Sequence, residues 1–128
     1  MLSRILQTAN KRVALNLPIS KYDDISDKYL AHLADQLDEL GEKIDDFNCD
    51  YSSGILTFNV DKNRYVLNKQ PPNKQIWWSS PISGPLRFDY DGNLWFNKHN
   101  QILSELLHNE WNLLTRQNLS VNKFKEPL

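Results

Sequence analysis

The sequence is poor in the residues that mark several common classes of protein. Cys49 is its one cysteine, so a disulfide framework is excluded, and no Cys/His spacing typical of a metal site surrounds it. Only four glycines occur, and they form no glycine-rich phosphate-binding loop. No apolar run approaches the roughly 18 residues that a membrane span needs. We therefore expect neither a membrane protein nor a conventional nucleotide-binding enzyme.

Acidic and basic residues are strongly separated along a chain whose net charge is only −1. Between Tyr22 and Asp46 nine acids stand against two lysines, which gives a local charge of −7. Between Lys62 and Phe88 there are five basic residues and no acid. A dipolar molecule of this kind orients charged partners through its summed field.

Residues 1–16 form a basic segment with a composition of its own. The segment contains Arg4, Lys11 and Arg12, no acid, and a mixture of Leu, Ile and Val with Ser and Thr. Arginine and serine in the absence of acids indicate a mitochondrial presequence, because a secretory signal has a continuous apolar stretch. A frayed basic N-terminus is the alternative. We expect the folded domain at 17–118 and a C-terminal tail at 119–128.

An acidic amphipathic helix is predicted directly after Pro18. Ser20 has an acid three positions further on, which is the signature of a capping box. Apolar residues then recur at helical spacing over about 22 residues. They are Ile25, Tyr29, Leu33, Leu37, Leu40 and Ile44. The acids of this segment lie mainly on the other side of the helix and form what we call the acidic ridge: Asp23, Asp24, Asp27, Asp35, Asp38, Glu39, Glu42 and Asp46.

The middle of the chain changes to the alternating periodicity of strands. Six short strands are predicted, at 47–51, 55–60, 64–68, 75–79, 86–90 and 94–97. Turns such as DKN, SGP and DGN separate them, and connections this short favour an antiparallel meander. Cys49 lies in the first strand, where we expect a half-buried, unreactive thiol.

Helical periodicity returns at Gln101 and ends near Arg116. Its apolar stripe consists of Ile102, Leu103, Leu106, Leu107, Leu113 and Leu114. A helix, a run of strands and a second helix predict an α+β fold. We expect a two-layer α/β sandwich with the N-terminal and C-terminal helices packed on one face of a five- to six-stranded antiparallel sheet. In the tail, Leu119, Val121 and Phe124 are available to pack back over the domain.

A sheet covered on one face leaves the other face to water, and strand alternation decides which side chains lie there. If Ile76 and Trp78 face the helices, Trp77 faces water. The outer face then gathers Asn68, Gln75, Trp77 and Arg87. A large aromatic residue, an arginine and amides together are typical of protein contact surfaces. The alternative is a tryptophan partly covered by the PPN turn or by the C-terminal tail.

The stretch YVLNKQPPNKQIWWSSPISGPLRFDYDG resembles the signature of the frataxin family. The likeness extends to LPISKYDDISDKYLAHLADQLDEL, SGILTF and LSELLHNE, about residues 17–116 in all. The chain differs from the family's usual pattern in three places. Asn63 and Arg64 replace a Gly-Thr pair, Trp78 replaces a leucine, and the first helix has Lys28 and Ala31 where relatives often carry acids.

The resemblance implies weak iron binding on the acidic ridge. Carboxylate oxygens are hard ligands that suit Fe²⁺ and Fe³⁺. An exposed helix face supplies no enclosing cage, so we expect affinities that are roughly micromolar or poorer. The alternative is a solvated helix face whose charge serves solubility.

The resemblance also implies a mitochondrial regulator of iron–sulfur cluster assembly, in the matrix or in a mitochondrion-derived organelle. Such a protein docks on the complex of a cysteine desulfurase with its scaffold protein and promotes sulfur transfer. The implied partner-binding residues are Asn68, Lys69, Gln70, Asn73, Gln75, Trp77 and Arg87. The alternative is an iron chaperone or ferroxidase that oxidises Fe²⁺ to Fe³⁺ on the ridge. A monomer, or an oligomer formed with iron, is expected.

Two other functions are weakly supported by the residues. His32, His99 and His108 have no Ser, Cys or Asp partner at a recognisable catalytic spacing. Nucleic-acid binding would use the basic residues near Trp77, namely Lys62, Arg64, Lys69, Lys74 and Arg87. Because five bases are few and the acidic helix repels phosphate, we expect no nucleic-acid partner.

Overall fold

A computed structural model describes residues 11–127 and contains two helices and six strands within that range. In chain order these are α1 (Ile19–Gly41), β1 (Asn48–Ser52), β2 (Ile55–Val60), β3 (Asn63–Gln70), β4 (Gln75–Ser80), β5 (Gly84–Tyr90), β6 (Trp95–Phe96) and α2 (Leu103–Thr115). The sheet order is β1-β2-β3-β4-β5-β6, and every neighbouring pair is antiparallel. The predicted α+β fold and meander are therefore confirmed.

Tight turns hold the meander together. Ser53 and Gly54 join β1 to β2 with φ values of 52° and 76°, as a two-residue hairpin turn with left-handed residues requires. Asp61, with φ of 56°, begins the turn between β2 and β3. A single 3₁₀ turn, Pro71–Asn73, joins β3 to β4. Connections this short allow only antiparallel pairing of the strands they join, because parallel strands need a long crossover.

Helix α1 begins one residue before the predicted cap. Pro18 is the N-cap residue, with φ of −56° and ψ of 146°, and no side chain caps the helix. The predicted N-cap at Ser20 is therefore wrong. The extended backbone of Pro18 ends the preceding segment, so Ser20 already lies in the first helical turn.

The predicted apolar stripe of α1 faces the sheet. Tyr29, Leu33 and Leu37 are fully buried, and so are Tyr22 and Leu30, which the stripe had not included. Three further members of the predicted stripe pack against the same core while remaining partly exposed: Ile25, Leu40 and Ile44. The helix thus buries a wider face than the stripe predicted.

The core between the helices and the sheet is largely aromatic. The rings of Phe58 and Tyr65 stack at 4.5 Å, and Trp78 packs edge-on against Tyr65 at 5.6 Å. Trp78 is 2% exposed, and its indole N–H donates to Ser83 Oγ at 3.0 Å. The core pocket therefore accommodates this large indole and supplies a partner for its nitrogen.

Helix α2 buries a different stripe from the predicted one near its end. Leu103, Leu107 and Trp111 are buried, whereas Leu113 is 70% exposed. At 100° per residue Leu113 lies about 120° around the helix from Leu107, so it points to water. The inclusion of Leu113 in the stripe is therefore wrong, and Trp111 takes the inward position.

The C-terminal tail closes the core between the two helices. Phe124 is fully buried, and its ring packs against Trp111 at 6.0 Å. The Tyr29 hydroxyl donates to the Phe124 carbonyl oxygen at 2.9 Å. Leu119 also packs against the core, whereas Val121 is 62% exposed. The tail therefore lies on the helix side of the sheet.

The segment before α1 contacts the β5–β6 end of the sheet. The Leu15 N–H donates to the Tyr90 carbonyl oxygen at 2.7 Å, and Arg12 Nε lies 3.6 Å from Asp91 Oδ2. Residues 1–10 of the predicted presequence lie outside the described residues, so the presequence and its boundary stay predictions. Among residues 11–127 no helix combines the length and apolarity that crossing a bilayer requires.

Gly41 provides a test of the packing at the end of α1. Gly41 is buried, and a Cβ at this position would overlap the Phe47 ring, which packs edge-on against Trp111. We expect Gly41→Ala to lower the free energy of unfolding by about 1–3 kcal/mol, measured by urea denaturation. Helix propensity alone predicts the opposite sign. In a Phe47→Leu background, Gly41→Ala should lower the free energy of unfolding by less. An equal decrease in both backgrounds would show that the overlap with Phe47 is not the cause.

Candidate docking and metal-binding surfaces

Three neighbouring strands present an in-register row of side chains on the outer face of the sheet. Asn68 in β3 is paired with Trp77 in β4, and Trp77 is paired with Arg87 in β5. Ile76 and Trp78, on either side of Trp77 in the chain, are 0% and 2% exposed, whereas Trp77 is only partly buried. The predicted outward orientation of Trp77 is therefore confirmed. With Gln75, these three residues form what we call the docking row.

The Trp77 indole is held in one orientation by its neighbours. Its Nε1–H donates to Gln75 Oε1 at 3.0 Å, and Gln75 Nε2 in turn donates to Asp89 Oδ1 at 3.1 Å. The Arg87 guanidinium carbon lies 4.7 Å from the centre of the indole, a cation–π contact. An aromatic side chain that is ordered before it meets a partner loses less conformational entropy on binding.

The surface around the docking row is concave. A groove of about 720 Å³ is lined in part by all four residues of the row and by Asp89. Phe124 of the C-terminal tail is buried in the core on the other side of the sheet. Pro71, Pro72 and Asn73 of the PPN turn are all exposed. The observed contacts of the Trp77 ring are with Gln75 and Arg87.

The remaining predicted contact residues lie at the β3–β4 end. Asn73 is exposed in the 3₁₀ turn, and Gln70, the last residue of β3, is partly buried. Lys69 faces the helices, because strand alternation turns it away from Asn68 and Gln70. Its side chain is 10% exposed, and its ammonium group donates to the Asp23 carboxylate. Contact of these three residues with a partner stays a prediction.

The acidic ridge is a series of separate, exposed carboxylates. All eight residues are exposed, but Glu42 and Asp46 lie beyond Gly41, where α1 ends. Among residues 11–127, no group of three His, Cys, Asp or Glu side chains is arranged to hold a metal ion. A hard cation such as iron would meet only one or two carboxylates here, with water completing its shell, so its binding would be weak.

Lys69 neutralises part of the charge at the N-terminal end of the acidic ridge. Its ammonium group contacts Asp23 and lies 3.8 Å from Asp27, and the Tyr51 hydroxyl donates to the Asp27 carboxylate. Burial, together with Asp27, raises the pKa of Tyr51. The acids from Asp35 onward form no ion pair within the described part of the chain. Negative charge available to a partner or a cation is therefore concentrated in the C-terminal part of the ridge.

The structure is a small α+β domain in which one sheet face is covered by helices and the other carries the Asn68, Gln75, Trp77 and Arg87 side chains. A family model described as "Frataxin-like domain" matches residues 15–117. A frataxin homolog from Saccharomyces cerevisiae, named as mitochondrial, is 47% identical over 89 residues, which cover 67% of this chain and 51% of that protein. Mitochondrial frataxin from Dictyostelium discoideum is 37% identical over 126 residues, 94% of this chain and 65% of that protein. The chain belongs to the frataxin family.

A solved structure supports the same assignment. The crystal structure of trimeric yeast frataxin complexed with ferrous matches with a TM-score of 0.66 at 34% identity, covering 88% of this chain and 98% of that one. The chain spans about half to two thirds of the length of the two sequence relatives above. Related frataxins from yeast, Dictyostelium, worm, Arabidopsis and fly are all named mitochondrial, and the predicted mitochondrial location is confirmed.

Sequence reasoning missed two residues that bond to Gln75 of the docking row. Asp89 accepts the hydrogen bond that orients Gln75, and alternation along β5 already turned Asp89 to the same side as Arg87. Tyr22 lies buried behind the row, and its hydroxyl contacts the backbone of both β3 and β4. No sequence signal identifies those contacts, because they depend on how α1 packs against the sheet.

Cys49 permits a test of burial beside the acidic ridge. Burial, and then the nearby Asp38 carboxylate, raises the pKa of the Cys49 thiol from 9.0 to about 12. The folded protein is therefore relatively stabilised at neutral pH and loses that contribution as the pH rises from about 9 to about 12. At pH 8 we expect iodoacetamide to alkylate Cys49 on the order of 100-fold more slowly in the folded protein than in urea. Equal rates would show that the thiol is not protected.

Proposed function

We propose that this chain regulates iron–sulfur cluster assembly by docking on the complex of a cysteine desulfurase with its scaffold protein and by promoting sulfur transfer and cluster synthesis. Membership of the frataxin family supports the proposal. The structural observation that carries it is the docking row, in which an outward tryptophan is held in place between an arginine and a glutamine. Tryptophan and arginine are the residues most enriched among binding hot spots.

The construction of the docking row fits a protein partner. The row is built on three adjacent strands, which position side chains more firmly than a loop does. It offers an apolar indole for a pocket, the Asn68 amide, and the Arg87 guanidinium for a carbonyl or carboxylate group. A partner with a complementary pocket rimmed by acceptors would bury the indole and keep these polar groups hydrogen-bonded. The scaffold protein is proposed as the partner that receives the row.

The acidic ridge would serve a second contact. It lies on the helix layer, whereas the docking row lies on the opposite face of the sheet, so the domain can be contacted from two sides at once. Asp35, Asp38 and Glu39 are exposed and free of ion pairs within residues 11–127. Charge of one sign steers an oppositely charged partner and sets its orientation. A basic surface on the desulfurase is the proposed partner of the ridge.

Iron is the proposed cargo of the ridge rather than a resident cofactor. A relative at 34% identity has been solved in complex with ferrous, and carboxylates suit that ion. The second candidate function is an iron chaperone or ferroxidase on the ridge, with dioxygen as electron acceptor. The ferrous complex of that relative supports this candidate. Because the relative is trimeric, an iron-dependent oligomer is kept as the alternative to a monomer. The two functions differ in whether they require the docking row.

Truncation of the tryptophan tests the docking function. Trp77→Ala should leave the fold intact, because the side chain is only partly buried, but should raise the concentration needed for half-maximal stimulation of cluster synthesis by at least 10-fold. A desulfurase–scaffold assay at limiting protein measures this value, and circular dichroism checks the fold. Leu113→Ala, which truncates a side chain that is 70% exposed on α2, is the matched control and should have no effect. Unchanged stimulation by Trp77→Ala would refute the role of the docking row.

Iron titration tests whether the ridge binds iron independently of the docking row. Replacement of Asp35, Asp38 and Glu39 by Asn, Asn and Gln keeps side-chain volume and removes three charges, so Fe²⁺ binding measured by anaerobic calorimetry should weaken several-fold or vanish. Trp77→Ala should bind Fe²⁺ as the unmodified chain does. If the ridge variant also retains its affinity, iron is bound elsewhere and the ridge is a solvated face.

A further inference from the structure

We infer that Tyr22 is a positioning residue for the docking row: its hydroxyl fixes the end of the β3–β4 hairpin and thereby holds Gln75 where it can orient the Trp77 indole. Tyr22 lies on α1 and is fully buried, so it contacts no partner itself. Its effect on partner binding rests on the proposed function, whereas its effect on the indole does not.

The Tyr22 hydroxyl joins the two strands at their last residue pair. Gln70 and Gln75 form the final pair of β3 and β4 before the 3₁₀ turn. The Gln70 N–H donates to the Tyr22 hydroxyl oxygen at 3.0 Å, and the hydroxyl donates to the Gln75 carbonyl oxygen at 2.7 Å. One hydroxyl group from the helix layer thus satisfies a donor on one strand and an acceptor on the other.

The Tyr22 ring is itself held firmly in the core. It packs edge-on against Trp95 at 6.4 Å, and the side chain is fully buried. Burial raises the pKa of Tyr22, so the hydroxyl keeps the proton that it donates to Gln75. A rigid aromatic stem that carries a protonated hydroxyl is suited to fix two backbone groups at a defined separation.

Gln75 links Tyr22 to the indole, because its backbone is bonded to one and its side chain to the other. The hydroxyl bonds the backbone of Gln75, and the Gln75 side chain, on the outer face of the sheet, accepts from Trp77 Nε1 at 3.0 Å. Pro71, Pro72 and Asn73 of the PPN turn are exposed, so Tyr22 contributes a buried contact at this end of the hairpin. Loss of the hydroxyl would remove its hydrogen bonds to the Gln70 N–H and to the Gln75 carbonyl oxygen. The end of the hairpin, and with it Gln75, would then move more freely.

Tyr29 provides a matched comparison on the same helix. It is 1% exposed, its ring stacks on the same Trp95 at 6.5 Å, and its hydroxyl donates to the Phe124 carbonyl oxygen at 2.9 Å. The bond of Tyr29 leads to the C-terminal tail, whereas the bonds of Tyr22 lead to the docking row. Tyr22→Phe and Tyr29→Phe therefore remove the same group from similar surroundings with different connections.

The test uses the full chain labelled with ¹⁵N. In Tyr22→Phe we expect hydrogen exchange of the Trp77 indole N–H and of the Gln70 amide to accelerate by at least 10-fold, with a shifted indole resonance. The concentration for half-maximal stimulation of the desulfurase–scaffold complex should rise several-fold while maximal stimulation is kept. Tyr29→Phe should match the unmodified chain in the indole exchange and in the half-maximal concentration. A purely global loss of stability would move both variants alike and would overturn the inference.

A second variant keeps the test decisive if Tyr22→Phe folds poorly. Gln75→Leu removes the acceptor of the indole but leaves the backbone bonds to Tyr22, so the Trp77 indole should exchange faster while the Gln70 amide stays protected. Unchanged indole exchange in Gln75→Leu, or in a folded Tyr22→Phe, would overturn the inference. If the indole loosens as expected but the unmodified chain does not stimulate the desulfurase, the proposed function fails and the positioning role of Tyr22 stands.

Discussion

The burial of Ile76 and Trp78 beneath the helices is the constraint on which the docking row depends. With both side chains buried, strand alternation leaves Trp77 no other direction than the outer face. Pairing with β3 and β5 then places Asn68 and Arg87 on either side of the indole. A slip of one residue in β4 would bring the indole under the helices and expose the two core residues, which the hydrophobic core strongly disfavours. Core packing therefore determines which side chains form the docking row.

The two layers of the domain carry different kinds of surface, and a few side chains join them. The helix layer presents separate carboxylates, whereas the sheet presents an aromatic row with amides and an arginine. Lys69 and Tyr22 link the layers at one end, through Asp23 and through the backbone of Gln70 and Gln75. Since Lys69 neutralises charge near Asp23 and Asp27, the free negative charge lies toward the other end of α1. The dipolar character of the chain is therefore more localised than its sequence indicates.

Periodicity predicted the fold and the orientation of the docking row, because alternation in strands and 3.6-residue spacing in helices are properties of the local chain. Local signals failed at Ser20, where the preceding proline already ended the extended segment, and at Leu113, where Trp111 took the inward position. The partners of Lys69 and Tyr22 lie on other elements. Those contacts depend on how α1 is placed over β3, which only tertiary packing determines.

The burial of Phe124 has a consequence for when the domain reaches its final state. This ring completes the core between α1 and α2, and its carbonyl group satisfies the buried hydroxyl of Tyr29. During synthesis the sheet and both helices emerge from the ribosome before this residue does. Until Phe124 arrives, Trp111 lacks a neighbour and the Tyr29 hydroxyl lacks its acceptor, so the domain stays partly open. Final closure of the core therefore waits until Phe124 has left the ribosome.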